Sequence, residues 1–408
     1  DFNESSIQAV ELETGRTVDL VRGGGSFPIV LPDGSILHTS NGTVYRSEID
    51  WAQPAAIGMP EPVLYEVINA SLNGNTQIAV AENGTVIYVR GQGTGAGLSR
   101  LMWLDIDSGL TTEALDRPLE VDGPVLSPDG RTVAMRTADN SSQILLYEPA
   151  RGILRSLRTA LPAFSLVWSP DSQRVAYFAT GNGFMSQLFV RDVNGESEPI
   201  ALAPGSIYEQ LPTDWSSDGS KLAYMQWTDE GFWDLHMLVW HSPDGEPRQE
   251  VLLATPEREG YARFSPDGEW IAYESSISGE GQIYIRRVEG EPNRVQISVD
   301  GGEVPFWSGD GRSIYYTRDN FTIDGMQKAP LMRVDLAERG DRLEPSPPVP
   351  VAELSLGGPV SPFPKLDIQS DGSRFILLEP ADPSAAVSSP QPYFMTGWLE
   401  KIGVGGGS

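Results

Sequence analysis

The chain repeats one pattern of apolar and polar positions along most of its length. A short apolar run leads into a polar turn of the Ser-Pro-Asp-Gly type, and a second apolar run follows the turn. The clearest copies are VLSPDGRTVAM, VWSPDSQRVAY, DWSSDGSKLAY, RFSPDGEWIAY and FWSGDGRSIYY, with turn aspartates Asp129, Asp171, Asp218, Asp267 and Asp310. Apolar and polar residues alternate after the turn, as expected of a β-strand. Each copy therefore predicts a tight β-hairpin.

The residues of the turn recur for reasons of backbone geometry. Pro presets φ at the first central position, Asp can accept a hydrogen bond from the backbone ahead of it, and Gly tolerates positive φ. Weaker copies surround Asp33, Asn83 and Asp371, which brings the number of copies to eight. Successive copies lie 42 to 61 residues apart. That spacing suits one four-stranded β-sheet per repeat.

This arrangement predicts an all-β fold, a single β-propeller of eight four-stranded blades, with seven blades as the alternative. Residues 7–21 resemble the third and fourth strands of a blade but have no hairpin before them, whereas the last hairpin has little sequence after it. We therefore predict a ring in which the N-terminal strands complete the last blade, because closure removes open sheet edges. The predicted domain covers residues 1–400, and residues 401–408 form a flexible Gly-rich tail.

Composition excludes several classes of partner and site. The chain has 29 basic and 56 acidic residues, a net charge of −27, which argues against nucleic acid or an anionic membrane surface as partner. It has no cysteine, so disulfides, thiol nucleophiles and thiolate metal sites are absent. No apolar run is long enough for membrane insertion. His236 and His241 are five residues apart in an extended segment and point to opposite faces, so we predict no metal and no cofactor.

Catalytic motifs are also missing from the sequence. It contains no G-x-S-x-G segment of a serine hydrolase, and none of the Gly-rich loop, H-R-D or D-F-G segments of a protein kinase. Carboxylates are abundant, and pairs of them at catalytic separation would arise by chance.

Two long segments carry a resemblance to a known family. EGYARFSPDGEWIAYESSISGEGQIYIRRVEG (259–290) and VQISVDGGEVPFWSGDGRSIYY (295–316) resemble the TolB-like propellers, which are relatives of the WD repeats. They are most similar to the propeller segment appended to bacterial serine/threonine kinases and other membrane-anchored regulators. The resemblance implies that the turn residues are structural and that the propeller binds or positions another molecule.

Two groups of residues are candidate binding sites. In a propeller, the segments that lead into the innermost strands converge on one mouth of the central channel, the default ligand site. The candidates at this mouth are Glu209, Asp214, Glu259, Tyr261, Arg263 and Glu303. An aromatic cluster is a candidate protein interface, because aromatic side chains often anchor protein contacts. Its members are Trp227, Phe232, Trp233 and Trp240.

The sequence therefore predicts a non-catalytic extracytoplasmic propeller, periplasmic or extracellular, acting as a binding scaffold or sensor domain. Its predicted partner is a protein, a peptide or a cell-envelope polymer. The alternative is a carbohydrate-active enzyme, or another hydrolase or lyase, that uses carboxylates and Arg263 at the channel mouth.

Overall fold

The computed structural model describes most of the chain, with short gaps. The described residues are 6–11, 14–21, 26–40, 43–65, 67, 78–81, 85–89, 98–137, 143–159, 161–180, 186–195, 197–203, 205–242, 245–290, 293–318, 321–323, 326–340, 342–356, 364–381 and 392–404. The chain divides into two compact units, residues 1–95 with 388–408, and residues 96–387. Within the described residues, no helix has the length and apolar character needed to cross a membrane.

Almost all regular structure is β-strand. The strands of the first 95 residues are β1 (Ile7–Val10), β2 (Thr17–Val21), β3 (Ser26–Val30), β4 (Ile36–Ser40), β5 (Thr43–Asp50), β6 (Ala55–Leu64), β7 (Ile78–Val80) and β8 (Val86–Val89). The next strands are β9 (Ser99–Asp105), β10 (Thr111–Glu113), β11 (Val121–Leu126), β12 (Val133–Thr137), β13 (Gln143–Glu148), β14 (Ile153–Arg158), β15 (Ala163–Trp168), β16 (Arg174–Thr180), β17 (Ser186–Asp192) and β18 (Ile200–Ala201).

The second half of the chain continues in the same way. Its strands are β19 (Gln210–Trp215), β20 (Lys221–Trp227), β21 (Trp233–Val239), β22 (Arg248–Leu253), β23 (Glu259–Phe264), β24 (Trp270–Ser275), β25 (Gln282–Arg287), β26 (Arg294–Gln296), β27 (Glu303–Trp307), β28 (Ser313–Thr317), β29 (Phe321–Ile323), β30 (Met326–Arg339), β31 (Arg342–Pro345), β32 (Val349–Leu356), β33 (Leu366–Ile368), β34 (Arg374–Pro380) and β35 (Pro392–Met395). A short helix, α1 (Trp398–Lys401), follows.

The unit formed by residues 1–95 and 388–408 contains three small sheets among its described residues. Strands β1 and β2 pair with each other, β3 to β6 form a four-stranded sheet in sequence order, and β35 pairs with β8, which pairs with β7. The hairpin at Asp33 joins β3 to β4. The predicted turn at Asn83 lies outside the described residues, although the strands on either side of it, β7 and β8, are antiparallel partners.

Among its described residues, the unit of residues 96–387 contains six antiparallel sheets. Four of them have their strands in sequence order: β11 to β14, β15 to β18, β19 to β22, and β23 to β26. The fifth has the order β27-β28-β30-β29, and β31 and β32 also pair with β30. The sixth has the order β33-β34-β9-β10. The five clear Ser-Pro-Asp-Gly-type turns each join the first two strands of a sheet, as predicted.

The sixth sheet closes this unit, and it corrects the predicted closure. Arg374 of β34 lies opposite Asp105 of β9, and Pro380 lies opposite Ser99. The last hairpin is therefore completed by β9 and β10, and the prediction that residues 7–21 complete it is wrong. Both segments have the pattern of a third and a fourth strand, but β1 and β2 pair with each other.

The predicted number of blades is not confirmed either. The unit of residues 96–387 holds six sheets, and the hairpin at Asp33 belongs to the other unit. The single domain over 1–400 and the tail over 401–408 stay predictions, and residues 405–408 of that tail lie outside the described residues.

Neighbouring sheets are joined by hydrogen bonds at their first strands. The Trp168 indole donates to the carbonyl of Val125 in the preceding sheet, at 3.1 Å. Elsewhere a carboxylate makes the link: Asp214 Oδ2 accepts from the backbone N–H of Phe264 at 2.7 Å. The ring is closed in the same way, because Asp367 Oδ2 of the sixth sheet accepts from the N–H of Leu126 in the first sheet, at 2.8 Å.

The core lies between the sheets. The residue six positions after the turn aspartate is almost fully buried at five repeats: Met135, Tyr177, Tyr224, Tyr273 and Tyr316. The residue three positions before each of the same turn aspartates is also buried: Leu126, Trp168, Trp215, Phe264 and Trp307. Because each sheet buries both faces against its neighbours, the core grows with every repeat.

Candidate functional site

The first strand of five sheets contains a β-bulge near its start. The pairing register shifts in β11, β15, β19, β23 and β27. Four residues at these bulges have positive φ: Gly123 (60°), Ser165 (49°), Tyr261 (48°) and Val304 (49°). A bulge bends the strand and redirects a side chain. The repeated bulges therefore set the lining of one end of the ring.

A cavity of about 410 Å³ lies at this end, and we call it the bulge-end cavity. It has a mixed polar and apolar lining. Its lining residues are Gly123, Val125, Arg136, Ser165, Leu166, Leu211, Pro212, Thr213, Met225, Trp233, Arg258, Glu259, Gly260, Tyr261, Arg263, Glu274, Glu303 and Pro364. All six sheets or the segments leading into them contribute, which is the convergence expected of a propeller mouth.

The cations of the bulge-end cavity have carboxylate partners within the protein. Arg136 pairs with the buried Asp122, with Nη2 and Oδ2 2.9 Å apart. Arg258 forms an ion pair with the buried Glu274. These pairs fix the two guanidinium groups, so the lining is organised before any ligand arrives.

Glu259 is the carboxylate with the most unusual surroundings. Its side chain is fully buried, and Oε1 accepts a hydrogen bond from the Thr255 hydroxyl. Oε2 has no hydrogen-bond partner among the described residues. Burial raises the pKa of Glu259 to about 7, and the negative charge of Asp234 adds to the rise. At neutral pH this group can therefore exchange a proton.

Negative and positive charge are unevenly distributed around the cavity. Asp234 has a raised pKa because of burial and of the nearby charge of Glu230. Beside the first and sixth sheets, in contrast, Lys365 is half-buried close to Arg136 and Asp122, and its partial burial lowers its pKa. The β20–β21 hairpin of the third sheet, with Asp234, is thus the acidic part of these surroundings, whereas Arg258 and Arg263 on the fourth-sheet side are paired with Glu274 and Asp214.

Part of the predicted aromatic cluster lies at the same cavity. Trp227 and Trp233 are paired across the β20–β21 hairpin, with ring centroids 5.1 Å apart in an edge-on arrangement. Trp233 lines the cavity, and Trp227 and Phe232 are exposed. We call Trp227, Phe232 and Trp233 the aromatic hairpin. Trp240 is separate: it stacks on Trp215, with centroids 5.6 Å apart.

The opposite end of the ring holds a second cavity, of about 350 Å³, the turn-end cavity. One position of the turn, the residue before the aspartate, supplies a lining residue from each of the six repeats: Pro128, Pro170, Ser217, Pro266, Gly309 and Ser370. The turn aspartates face their own turns. At Asp218, for example, Oδ1 accepts from the Ser216 hydroxyl at 2.7 Å and the Ser220 N–H at 2.9 Å, and these bonds lower its pKa.

The buried Asp367, the half-buried Asp214 and one arginine lie between the ends. Asp214 and Asp367 both line the turn-end cavity, and Arg263 lines both cavities. Arg263 Nη1 lies 3.8 Å from Asp214 Oδ1. Burial nevertheless raises the pKa of Asp214 to about 6, and it also raises that of Asp367. One guanidinium does not fully offset the burial of two carboxylates.

The structure brings most of the predicted mouth residues together. Glu259, Tyr261, Arg263 and Glu303 line the bulge-end cavity. Asp214 lines the turn-end cavity, whereas Glu209 is an exposed residue just before β19 and lines neither cavity. Within the described part of the chain, no group of three or more His, Asp or Glu side chains is arranged to hold a metal ion.

Sequence reasoning missed three cavity residues that share one position of the repeat. Arg136, Met225 and Glu274 each follow directly after a repeat copy, at the end of VLSPDGRTVAM, DWSSDGSKLAY and RFSPDGEWIAY. All three line the bulge-end cavity. One feature of the sequence could have identified them. The residue type at this position changes from cation to thioether to carboxylate, although the residues before it repeat closely from copy to copy.

Six antiparallel sheets joined in a closed series around these cavities make the unit of residues 96–387 a β-propeller. Residues 151–342 match the family model described as PD40, TolB beta propeller domain. Residues 151–342 thus belong to a TolB-like β-propeller domain, and the resemblance found in the sequence is confirmed. The narrower similarity to the propellers of kinases and other anchored regulators stays a prediction.

Solved structures with similar folds include TolB proteins. The similarity to a TolB structure from Agrobacterium tumefaciens has a TM-score of 0.56 at 19% identity and covers 70% of this chain and 99% of that one. For TolB from Acinetobacter baumannii the TM-score is 0.45 at 14% identity, with 87% and 80% covered. For a structure from a study of two prolyl endopeptidases it is 0.42 at 13% identity, with 79% and 50% covered.

Proposed function

We propose that the chain is a non-catalytic, extracytoplasmic scaffold whose propeller binds a segment of a protein partner at the bulge-end cavity. One observation carries the proposal: Trp233 lines a cavity of about 410 Å³, the exposed Trp227 packs edge-on against it, and the exposed Phe232 directly precedes it in the chain. Exposed aromatic groups next to a preformed cavity are typical of protein-recognition surfaces, because they bury large apolar areas with little loss of conformational freedom.

The polar groups of the cavity support recognition. Arg136 and Arg258 are held by Asp122 and Glu274, so a ligand would meet fixed hydrogen-bond donors. Such preorganisation lowers the entropy that is lost on binding. The periplasm or the extracellular space is the location that the TolB-like family suggests, and fractionation of cells with an antibody against the native protein would test it.

The test of the proposed function is direct binding to an identified partner. We would capture proteins from a cell-envelope extract on the purified chain, identify them, and measure binding of the purified candidate. The double variant Trp227→Ala/Phe232→Ala should lose binding. A matched control, Ile200→Ala/Val251→Ala, removes two exposed apolar residues from outer strands and should bind like the wild type.

Two results would count against the proposal. If the purified partner binds both double variants equally well, the bulge end is not its binding surface. If no captured protein binds the purified chain directly, a protein-binding role loses its support.

The second candidate function is hydrolysis, and Glu259 is the observation that favours it. A carboxyl group with a pKa of about 7 fits a general acid, and Glu274 and Glu303 line the same cavity. Turnover of any member of a panel of glycosides and polysaccharides would support this function. The activity should disappear in Glu259→Gln and in Arg263→Ala while both variants stay folded.

A further inference from the structure

The aromatic hairpin lies in a part of the chain that has carboxylates and no basic side chain. The turn between Trp227 and Phe232 contains Asp229 and Glu230, and Asp234 follows Trp233. From residue 222 to residue 247 the sequence contains neither Lys nor Arg. The nearest lysine, Lys221, is at the other end of β20, opposite Val239. The hairpin itself therefore carries negative charge and no basic side chain.

Three of the carboxylates in this region are close enough to influence one another. The charge of Glu230 raises the pKa of Asp234, and the charge of Asp234 adds to the rise caused by burial of Glu259. Independently, Glu259 Oε2 is buried in the cavity lining with no hydrogen-bond partner among the described residues. A cationic group bound here would reduce the repulsion among the three carboxylates. It could also donate a hydrogen bond to Glu259 Oε2.

The aromatic rings add a second preference for cations. Trp227 is 38% exposed and Phe232 is 41% exposed. A guanidinium or ammonium group over an indole face is attracted by the negative charge of the ring's π-electrons. The same rings offer apolar area to a neighbouring aliphatic or aromatic side chain.

We propose that the aromatic hairpin, together with Glu230, Asp234 and Glu259, binds a basic segment of a protein partner. A Lys or Arg side chain of that segment lies against the indole rings and beside the carboxylates, and an apolar neighbour contacts Phe232. This inference rests on the proposed function, since it names the chemistry of the partner at the same cavity. Arg136 and Lys365 lie beside the first and sixth sheets, and Arg258 is already paired with Glu274, which favours placing the basic group at the hairpin.

Calorimetry with two matched peptides tests the inference. One peptide carries two arginines separated by leucines, the other carries glutamates in their place, and both have blocked ends. The wild-type chain should bind the arginine peptide at least about tenfold more tightly, which corresponds to about 1.4 kcal/mol. The variant Glu230→Gln/Asp234→Asn should lose most of that preference.

A charge-matched control separates specific binding from general attraction to an acidic protein. Glu246→Gln/Glu250→Gln removes two negative charges from the far end of the same sheet, at the start of β22 and just before it. It should bind the arginine peptide like the wild type. Equal binding of the two peptides, or equal weakening by the two charge variants, would overturn the inference.

The identified partner distinguishes this inference from the proposed function. If its binding is lost in Trp227→Ala/Phe232→Ala but unchanged in Glu230→Gln/Asp234→Asn, the proposed function stands and the basic segment is wrong. If the arginine peptide binds at the hairpin as expected but no protein partner does, the surface is selective for cations and the protein-binding function is wrong.

Discussion

The two ends of the propeller ring differ in how far their residues repeat. At the turn end, serine, aspartate and glycine return from sheet to sheet, and the aspartates accept hydrogen bonds from their own turns. At the bulge end, equivalent positions carry different chemistry, as at Arg136, Met225 and Glu274. Residues that repeat make the same backbone hydrogen bonds in every sheet. Positions whose residue type differs from sheet to sheet are therefore the ones suited to recognising a single ligand. This contrast supports the proposal that the turn end is the scaffold and that the bulge end binds the partner.

The largest effect is expected at Gly309, which stands where other turns have Pro or Ser. A Cβ at this position would clash with the backbone oxygen of Ser370 in the adjacent turn. Gly309→Ala should therefore destabilise the fold by about 3 kcal/mol, the upper range for overpacking. Ser217→Ala, at the equivalent position of another sheet, is the control and should change stability little. Denaturant unfolding measures both, and an unchanged midpoint for Gly309→Ala would contradict the close packing of the turns.

At the bulge end, Glu259→Gln should increase stability at alkaline pH. The pKa of Glu259 is about 7 in the folded protein and near 4.5 when unfolded, so the wild type loses stability as pH rises between these values. Gln mimics the protonated acid, so the variant should equal the wild type near pH 4 and exceed it by about 2–3 kcal/mol at pH 8. Unfolding curves across this pH range check it. A constant difference at every pH would show that Glu259 does not titrate as described.

The two parts of the predicted aromatic cluster should respond differently, because Trp240 belongs to the turn end. Trp240 is half-buried against Trp215, and Trp240→Ala should lose about 2 kcal/mol of stability, somewhat less than truncation of a fully buried tryptophan. Partner binding at the other end should be unchanged once the variant is folded. Thermal unfolding and a binding assay on the same sample measure the two properties, and loss of binding without loss of stability would place Trp240 in the interface.

Substitution of Asp214 by Asn tests the electrostatics of the region between the two ends. The pKa of Asp214 is about 6 in the folded protein, above its ordinary value of 3.8, so its contribution to stability falls as pH rises from about 4 to 6. Asp214→Asn keeps an acceptor for the Phe264 N–H and removes the charge. It should be more stable than wild type by about 1–2 kcal/mol at pH 8 and no more stable at pH 4. Destabilisation at pH 8 would mean that the ion pair with Arg263 outweighs the burial of the carboxylate.

The smallest effect on stability is expected for Trp227→Ala, because this side chain is exposed at the edge of the bulge-end cavity. Its free energy of unfolding, measured from the unfolding midpoint, should differ from that of the wild type by no more than about 0.5 kcal/mol. Binding of the arginine peptide should nevertheless weaken several-fold. If stability falls as much as in Trp240→Ala, the aromatic hairpin is part of the core and the contrast between the ends fails.

The hairpins and the all-β class could be predicted from the sequence because they depend on local chemistry. Asp129 and Gly130 determine the turn through local hydrogen bonding and backbone conformation. One eleven-residue copy such as VLSPDGRTVAM is therefore enough to predict its hairpin. The pairing of β34 with β9 joins segments some 270 residues apart, and residues 7–21 show the same strand pattern as 99–113. Nothing local distinguishes these two partners, so the choice of closing strands was wrong.

The candidate site was predictable in part for a similar reason. Glu259, Tyr261 and Arg263 could be found because they immediately precede a repeated turn on the first strand, whose start faces the channel. Glu274 is on the second strand and reaches the cavity through its pairing opposite Gly260, which depends on a bulge. Sequence spacing alone does not show that bulge. The split of the aromatic cluster likewise depends on β21, whose length separates Trp233 from Trp240.

The sheet that contains β9, β10, β33 and β34 is assembled from the beginning and the end of the same unit. During synthesis, β9 leaves the ribosome early, and the edge of β9 that pairs with β34 remains unpaired until β34 has been synthesised. The apolar residues Leu101 and Trp103, buried in the finished structure, stay without their neighbours Ile376 and Leu378 for that whole interval. Completion of the ring is therefore a late event, and a ribosome that stalls before residue 380 leaves a chain that needs protection from aggregation.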